Sequence, residues 1–323
     1  KKTMKLTLGK VVEKGSQPTI EGEDKSNIKT AVRPLRKAHK ETTKSTFLTA
    51  PNYEILIGDE TLQERMPEPD AAIKIKTSNY YMNNRRGFVD FINRLFGSYK
   101  NAIAEEGKEV SCETKSGRFK PLTHQEIVRD YINLYTPYRG LLIYHGLGSG
   151  KTCASIGIAE SYANIGLAEG ITSPVEIIVM TPASLRRNYI NDLKVCGDPL
   201  YRLNQHWQFI ETQGNEELIA TLSDALKLSV ETIKKMRGAW FVDMKNEPNY
   251  ETLSTDEKKQ LNDQINEMIR AKYRFIHYNG LRNSHLNELT QNGTINPFTN
   301  KVLIIDEAHN FVSRIVNKLK KPE

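Results

Sequence analysis

The second two thirds of the chain alternate between short apolar runs and longer stretches with helical spacing. Five apolar runs predict β-strands, at residues 141–144, 175–181, 207–211, 274–278 and 302–306. Between them, apolar residues recur three and four positions apart, which is typical of amphipathic helices. Strands that alternate with helices form a parallel sheet covered by helices on both faces. We therefore expect an α/β domain over residues 115–323, with a helical insertion at about residues 212–272.

Two sequence signals mark helix starts in this domain. Thr123 with Glu126, and Ser254 with Glu257, have the spacing of a capping box. In that motif each side chain hydrogen-bonds a backbone N–H group near the other residue. We expect one helix to begin at each of these two positions.

The chain before residue 115 has a weaker pattern. Residues 51–114 predict an accessory segment with a possible strand at 53–57 and a helix at 84–103. That helix carries an apolar stripe that we expect to pack on the core, formed by Phe88, Phe91, Ile92, Leu95, Tyr99 and Ile103. Residues 1–50 are polar and rich in Lys and Thr, and we expect a basic, flexible arm there.

The net charge of +7 belongs to this arm, because residues 1–50 hold twelve Lys and Arg against five Asp and Glu. In residues 51–323 the basic and acidic side chains are equal in number, so their charges cancel. Such an arm either is simply solvated or contacts nucleic acid or an acidic partner. The chain has no run of about 18 apolar residues, so we expect no membrane span.

The three cysteines are Cys112, Cys153 and Cys196. They contain no Cys-x-x-Cys pair, so we expect neither an ordinary zinc site nor a disulfide framework. We expect reduced thiols, which are typical of a cytoplasmic or nuclear compartment. Cys153 is expected to serve packing rather than catalysis.

A glycine-rich turn follows the first predicted strand, and its residues are Gly146, Gly148, Ser149, Gly150, Lys151 and Thr152. Glycine lets backbone N–H groups approach phosphate oxygens, Lys151 can reach the β- and γ-phosphates, and the Thr152 hydroxyl can bind Mg²⁺. His145 stands where the strict phosphate-loop pattern has its first glycine. The turn alone is therefore a weak signal.

The tetrapeptide Asp306-Glu307-Ala308-His309 ends the last predicted strand. An Asp at this place can hold Mg²⁺, and an adjacent Glu can orient or deprotonate an attacking water. His309 either is structural or couples the site to a neighbouring domain. Both motifs follow predicted strands, where open α/β sheets bind ligands. Together they predict a site that hydrolyses a nucleoside triphosphate, with Lys151, Asp306 and Glu307 as catalytic residues.

The order of these motifs resembles superfamily 2 helicases and translocases of the DEAH type. The chain is more closely similar to the helicase-like ATPases of nucleocytoplasmic large DNA viruses, a group that includes the poxvirus early transcription factor ATPase subunit and nucleoside triphosphatase I. The resemblance covers about residues 118–316 and implies a RecA-like P-loop NTPase lobe that uses ATP and Mg²⁺. In this group a departure such as His145 is expected.

The resemblance also implies roles for residues outside the two motifs. Gln125 is similar to the glutamine that recognises the adenine edge through its amide; alternatively it is an ordinary exposed helix residue. Thr181 and Pro182 match a motif that contacts a nucleic-acid strand. Arg186 either assists that contact or is solvated, and Asn279 belongs to a segment that resembles a second strand contact.

Two functional hypotheses from different classes remain. The first is an ATP-dependent DNA or RNA helicase or translocase, with viral RNA polymerase or transcription-factor subunits as possible partners. The second is a non-catalytic component of a virion or transcription complex that binds ATP and nucleic acid. A P-loop kinase is a third, disfavoured by Thr181-Pro182 and His309-Asn310. The expected location is the virion or host cytoplasm for a viral protein, and otherwise the cytoplasm or nucleus.

A second RecA-like lobe, which supplies arginine fingers in this family, is expected to be absent from this chain. Residues 1–323 alone should then be inactive or very slow, because an arginine finger contributes roughly 10³–10⁵ in rate.

Overall fold

The structure is a computed structural model that describes residues 51–67, 76, 77, 79–82, 85–106, 119–133, 135–168 and 175–319. The chain divides into Lys1–Thr46 and Phe47–Glu323, and the described residues all lie in the second unit. The predicted basic arm, residues 1–50, lies outside them. No described helix is long and apolar enough to cross a membrane.

The described residues form strands and helices that alternate along most of the chain. The strands are β1 (Leu56–Ile57), β2 (Glu60–Thr61), β3 (Ile177–Thr181), β4 (His206–Glu211), β5 (Gly238–Asp243), β6 (Tyr273–His277) and β7 (Val302–Ile305). The helices are α1 (Leu62–Arg65), α2 (Arg86–Leu95), α3 (Gly97–Glu106), α4 (Thr123–Tyr131), α5 (Lys151–Ala168), α6 (Arg186–Cys196), α7 (Glu216–Leu226), α8 (Val230–Met236), α9 (Thr255–Lys272), α10 (Asn283–Leu289) and α11 (Ala308–Leu319).

A parallel sheet in the order β6-β3-β7 confirms the predicted α/β class. Ile177 at the start of β3 pairs with Tyr273 on one side and with Val302 on the other. All five residues of β3 are buried. A central parallel strand covered on both faces needs such a continuous apolar run, which explains why residues 177–181 lack the alternation of a half-exposed strand.

The first predicted strand, residues 141–144, does not form. The segment is extended without a β-ladder, and the side chains of Leu142 and Tyr144 are 76% and 93% exposed. An apolar run becomes a strand only where a neighbour pairs with its backbone groups. Among the described residues no strand pairs with this segment, so the strand prediction is wrong here.

The third predicted strand forms, but it does not join the parallel sheet. β4 pairs antiparallel with β5, with Trp207 opposite Val242 and Glu211 opposite Gly238. β5 lies in the segment that the sequence assigned to a helical insertion, together with α7, α8 and α9. A Cβ atom on Gly238 would lie 2.3 Å from the carbonyl oxygen of Ile210, so the pairing requires glycine there.

The helix predicted over residues 84–103 is two helices. α2 ends at Leu95 and α3 starts at Gly97, because Phe96 leaves the helical conformation with φ −97° and ψ 11°. The predicted stripe is buried at Phe91 and Tyr99. Tyr99 donates its hydroxyl hydrogen to the carboxylate of Asp130 in α4 at 2.6 Å, so the stripe attaches these helices to the domain.

One of the two predicted capping boxes is confirmed. Ser254 caps α9 by accepting from the Glu257 backbone N–H, while the Glu257 carboxylate accepts from the Ser254 backbone N–H at 2.8 Å. At α4 the predicted box does not form, because the N-cap residue is Leu122, whose side chain cannot accept a hydrogen bond. The backbone N–H of Leu122 donates to the side chain of Gln125 at 3.0 Å, so Gln125 replaces Glu126 as the capping partner.

A disulfide joins Cys153 near the start of α5 to Cys196 at the end of α6. The expectations of reduced thiols and of no disulfide are therefore wrong for this pair. The two residues are 43 positions apart in sequence, and only the packing of α5 against α6 brings their sulfur atoms within bonding distance. Cys112 lies outside the described residues.

The disulfide predicts a specific pattern of alkylation in protein purified without reductant. Iodoacetamide added after denaturation should leave the peptides of Cys153 and Cys196 joined, and both should be alkylated only after reduction. Because the link closes a loop of 43 residues, we expect Cys196→Ala to lower the free energy of unfolding of the oxidised protein by about 3–4 kcal/mol. Urea unfolding with and without reductant measures this difference. Equal free energies of unfolding for the wild-type protein and Cys196→Ala under oxidising conditions would contradict the prediction.

Candidate active site

The glycine-rich turn lies directly in front of α5. Gly148 and Gly150 have φ angles of 78° and 72°, a left-handed conformation that glycine adopts without steric cost. Ser149 donates its hydroxyl hydrogen to the carbonyl of Gly146 at 2.9 Å. Because α5 begins at Lys151 and is 18 residues long, the unpaired backbone N–H groups of its first turn lie next to this loop and favour an anion there.

The Lys151 amino group folds back over the loop. Nζ donates to the carbonyl oxygens of His145 at 3.2 Å and Gly146 at 2.9 Å. Phosphate oxygens carry charge and are stronger acceptors than backbone carbonyls. A bound triphosphate can therefore take over this amino group without a change in the helix that carries it.

Helix α4 holds the loop from the side. Gln125 is buried, and its Nε2 donates to the carbonyl of Gly150 at 3.1 Å. His124 Nε2 lies 2.8 Å from the carbonyl oxygen of Ser149. A Cβ atom at Gly150 would lie 2.4 Å from Gln125 Nε2, so glycine is required for this contact as well as for the backbone angle. Gln125 is thus a loop contact in this structure, and adenine recognition by its amide stays a prediction.

The carboxyl ends of β3, β6 and β7 bring together the acidic motif and its supports. Thr181 donates its hydroxyl hydrogen to Asp306 Oδ2 at 3.0 Å, and the Asp306 backbone N–H donates to the carbonyl of Met180 at 2.9 Å. The hydroxyl of Tyr278 lies 3.1 Å and 3.2 Å from the carbonyl oxygens of Asp306 and Glu307. Burial raises the pKa of Asp306 and Glu307 adds to the rise, whereas the Thr181 hydroxyl lowers it.

Glu307 differs from Asp306 in conformation and exposure. Its φ angle is 50°, which is uncommon for a residue with a side chain. The side chain is 44% exposed, and Oε2 lies 3.2 Å from Nδ1 of His309. The left-handed turn ends β7 and starts α11, so the two adjacent carboxylates have different environments, one partly buried and one open to solvent.

Asp192 is a site residue that the sequence analysis missed. Burial raises the pKa of Asp192, the Thr152 side chain opposes the rise, and the negative charge of Asp306 adds to it. The pKa of Asp192 therefore responds to one residue of each motif. No motif marks it, and the only signal in the sequence is its place one helical turn after the buried residue Tyr189.

The same face of α6 contacts α5 at two positions. Tyr189 Oη lies 3.1 Å from Ser155 Oγ, and Cys196 is disulfide-linked to Cys153. The two positions are seven residues apart along α6, which places them on one helix face. They fix the start of α5, where the glycine-rich loop ends.

The residues predicted to contact nucleic acid differ in accessibility. Thr181 and Pro182 are buried, and the Thr181 hydroxyl is used by Asp306. The Arg186 guanidinium lies 5.3 Å from the centre of the Phe275 ring. Asn279 is exposed in the short helix that follows β6. Thr181 is thus built into the acidic site, and contacts of these residues with a strand stay predictions.

Comparison with known proteins gives relatives of one kind. The chain is 27% identical over 227 residues to "Putative ATP-dependent RNA helicase R563" of Acanthamoeba polyphaga mimivirus, which covers 70% of this chain and 30% of the relative. It is 33% identical over 97 residues to "Putative ATP-dependent RNA helicase L377" of the same virus, covering 30% of this chain and 8% of the relative. It is 36% identical over 81 residues to "Putative helicase 087L" of Invertebrate iridescent virus 3, covering 23% and 8%.

This chain is similar to helicase-like proteins of large DNA viruses. The similarity supports the predicted viral helicase-like family and, with it, an NTPase-type enzyme in general. The chain spans less than a third of the length of each of these relatives. No protein-family model and no solved structure matches it.

The raised pKa of Asp306 predicts how Asp306→Asn changes stability. A carboxyl group whose folded-state pKa is raised stabilises the fold fully below its unfolded-state pKa of about 3.9, and this contribution is lost as the pH rises through the folded-state pKa. We therefore expect Asp306→Asn to raise the melting temperature at pH 7 without nucleotide. Solvent screening of a partly exposed group limits the rise to roughly 2–4 °C.

The gain should shrink as the pH falls towards 4, and Mg²⁺ with ATP should stabilise the variant less than the wild-type protein. Thermal unfolding from pH 4 to pH 7.5 measures both effects. Asp59→Asn, at an exposed turn position, is the control. It should change neither the melting temperature nor the stabilisation by Mg²⁺ with ATP. A lower melting temperature of Asp306→Asn at pH 7 would show that the ionised carboxylate is stabilising.

Proposed function

We propose that this chain contains the nucleotide-binding, RecA-like lobe of an ATP-dependent nucleic-acid helicase or translocase of superfamily 2. The observation that carries the proposal is the contact of α5, which begins at Lys151 of the loop motif, with β7, which Asp306 directly follows. Two motifs more than 150 positions apart in sequence are thereby joined at one place. The helicase names of the viral relatives support the nucleic-acid part of the proposal.

The loop fits the triphosphate of ATP. Gly148 and Gly150 supply the backbone conformation, α5 supplies N–H groups, and Lys151 supplies a positive charge. A Cβ atom built on Gly146 or Gly148 meets nothing within 4 Å, so the surface over the loop is open to a ligand. Lys151 then binds the β- and γ-phosphates and exchanges loop carbonyls for phosphate oxygens.

The donor set also fits Mg²⁺. This ion usually takes one or two protein oxygens and completes its shell with water and phosphate. Among the described residues no group of three His, Cys, Asp or Glu side chains could hold a metal ion by itself. Thr152 and Asp306 would hold it together with the nucleotide. When bound, the ion neutralises charge on the phosphates.

Glu307 is the proposed general base. Its carboxylate is half-exposed and near His309, whereas Asp306 is held by Thr181. The left-handed backbone at Glu307 has an energetic cost that is typical of functional positions. Glu307 orients a water and accepts its proton during attack on the γ-phosphate. His309, in contact with Glu307, would couple this step to a neighbouring domain.

The coupling of ATP hydrolysis to nucleic acid is proposed through the ends of β3 and β6. Thr181 contacts Asp306 directly and precedes the segment that carries Pro182 and Arg186. Asn279 follows Tyr278, whose hydroxyl contacts the backbone of the acidic motif. Movement of a bound nucleic-acid strand at either segment would therefore displace Asp306 or Glu307 through a single intervening side chain.

Lys151→Ala should weaken binding of the triphosphate and reduce ATP turnover of the full-length protein by at least about a hundred-fold. The variant loses the positively charged side chain of the loop, and a single donor at such a site is worth about 10²–10³ in rate. ATPase assays with and without single-stranded DNA or RNA measure it. Lys235→Ala, at an exposed position of α8, is the control. Unchanged turnover of Lys151→Ala would disprove the site assignment.

Glu307→Gln should keep binding of Mg²⁺ and ATP and reduce turnover by about 10²–10⁴-fold, because the amide keeps the size but cannot accept a proton. Binding of a fluorescent ATP analogue and single-turnover hydrolysis separate the two effects. Glu267→Gln, exposed on α9, should change neither. A wild-type protein that binds ATP and nucleic acid without hydrolysis would support the non-catalytic alternative instead.

A further inference from the structure

Three aromatic rings surround the ring of Tyr138, a residue that precedes the glycine-rich loop in sequence. Tyr131 stacks on Tyr138 with ring centres 4.8 Å apart and an angle of 12° between the rings. Tyr80 lies 5.6 Å from the Tyr138 ring, and Phe88 meets it edge-on at 6.2 Å. We call these four residues the Tyr138 cluster. They come from two regions that are distant in sequence, Tyr80 with Phe88 and Tyr131 with Tyr138, so the fold assembles the cluster.

The cluster is open to solvent at Tyr80. The Tyr80 side chain is 64% exposed, and Tyr81, Met82 and Val89 beside it are also exposed. Tyr138 is half-buried, and its hydroxyl lies 3.3 Å from the carbonyl oxygen of Tyr81, which fixes the segment that carries Tyr80. Adjoining exposed apolar residues on a protein surface typically mark a binding site.

Basic side chains outnumber acidic ones in the sequence on either side of Tyr80. From residue 76 to residue 94 the described residues include four basic side chains and one acidic one, Asp90; the basic ones are Lys76, Arg85, Arg86 and Arg94. Arg139 is also exposed, and its Nη1 donates to the carbonyl of Tyr138 at 3.0 Å, so a guanidinium is held at the cluster itself. An exposed aromatic ring with a cationic margin complements a ligand that has flat rings and negative charges.

We propose that the Tyr138 cluster is a binding subsite for single-stranded nucleic acid, in which a base stacks on Tyr80 and the adjoining phosphates contact Arg85, Arg86 and Arg139. Every base has a π-face, so stacking on an aromatic ring tolerates any sequence, and a basic margin follows the backbone. The subsite deepens the proposed function and rests on it. It is separate from the strand-end segments that carry Pro182 and Asn279.

Helix α4 connects this subsite to the active site. Tyr131, in the cluster, is the last residue of α4, while His124 and Gln125 at the other end contact the phosphate loop. The helix has nine residues, so the two ends are about 13 Å apart. A strand bound at the cluster therefore lies within one short helix of the nucleotide.

The test uses a pair of variants at Tyr80 in the full-length protein. Tyr80→Leu removes the ring and keeps an apolar side chain, whereas Tyr80→Phe keeps the ring. Fluorescence anisotropy with labelled 20-nucleotide thymidine and uridine strands should show binding weakened about five- to a hundred-fold in Tyr80→Leu and nearly unchanged in Tyr80→Phe. Both variants should have the same melting temperature as the wild-type protein, because the Tyr80 side chain is exposed.

Arg85→Gln tests the charged margin independently of the ring. It should weaken binding of both strands alike and reduce the slope of log affinity against log salt concentration by about 1. Arg270→Gln, exposed in the last turn of α9, is the matched control and should bind as the wild-type protein does.

The outcomes separate the subsite from the proposed function. If the wild-type protein binds the strands but Tyr80→Leu binds as well as Tyr80→Phe, the subsite is overturned and the helicase proposal stands. If poly-glutamate competes as well as unlabelled strands do, the surface recognises charge alone, and the subsite is again overturned. If the wild-type protein binds no nucleic acid, both proposals fail.

Discussion

The parallel pairing of β3 with β6 and with β7 is the constraint on which the rest of the structure depends. Because all three strands run in the same direction and in fixed register, their carboxyl ends meet at one edge. That edge brings Thr181, Tyr278 and Asp306 into contact, although they come from three separate parts of the chain. The buried apolar run of β3 holds the sheet together, so the geometry of the acidic motif depends on the core.

The glycine-rich loop is positioned by helices rather than by a strand. α4 contacts the loop through His124 and Gln125, and α6 contacts the start of α5 through Tyr189 and Cys196. The segment before the loop is extended and exposed, and it contributes no β-ladder among the described residues. Side-chain hydrogen bonds and one disulfide therefore fix the loop, and the disulfide makes this support sensitive to redox conditions in a way that a sheet is not.

The two carboxylates of the acidic motif illustrate how one dipeptide acquires two chemical environments. Asp306 directly follows β7 and is partly buried. The Thr181 hydroxyl donates a hydrogen bond to its carboxylate, which offsets part of the free-energy cost of burying that group. Glu307 turns outwards through a left-handed backbone conformation and contacts His309. A metal ligand benefits from the first environment and a general base from the second. Adjacent positions in sequence differ here because a strand ends between them.

The sequence by itself determined the α/β class, three strands of the parallel sheet and the residues of both motifs, because apolar periodicity and short motifs are local properties. It predicted a strand at 141–144 and a parallel partner at 207–211, and both were wrong, because pairing depends on which backbone lies alongside. Only the tertiary structure decided that Thr181 donates to Asp306, that Cys153 bonds Cys196, and that Tyr80 meets Tyr138. Each of these contacts joins residues far apart in the chain, and no local pattern encodes such a distance.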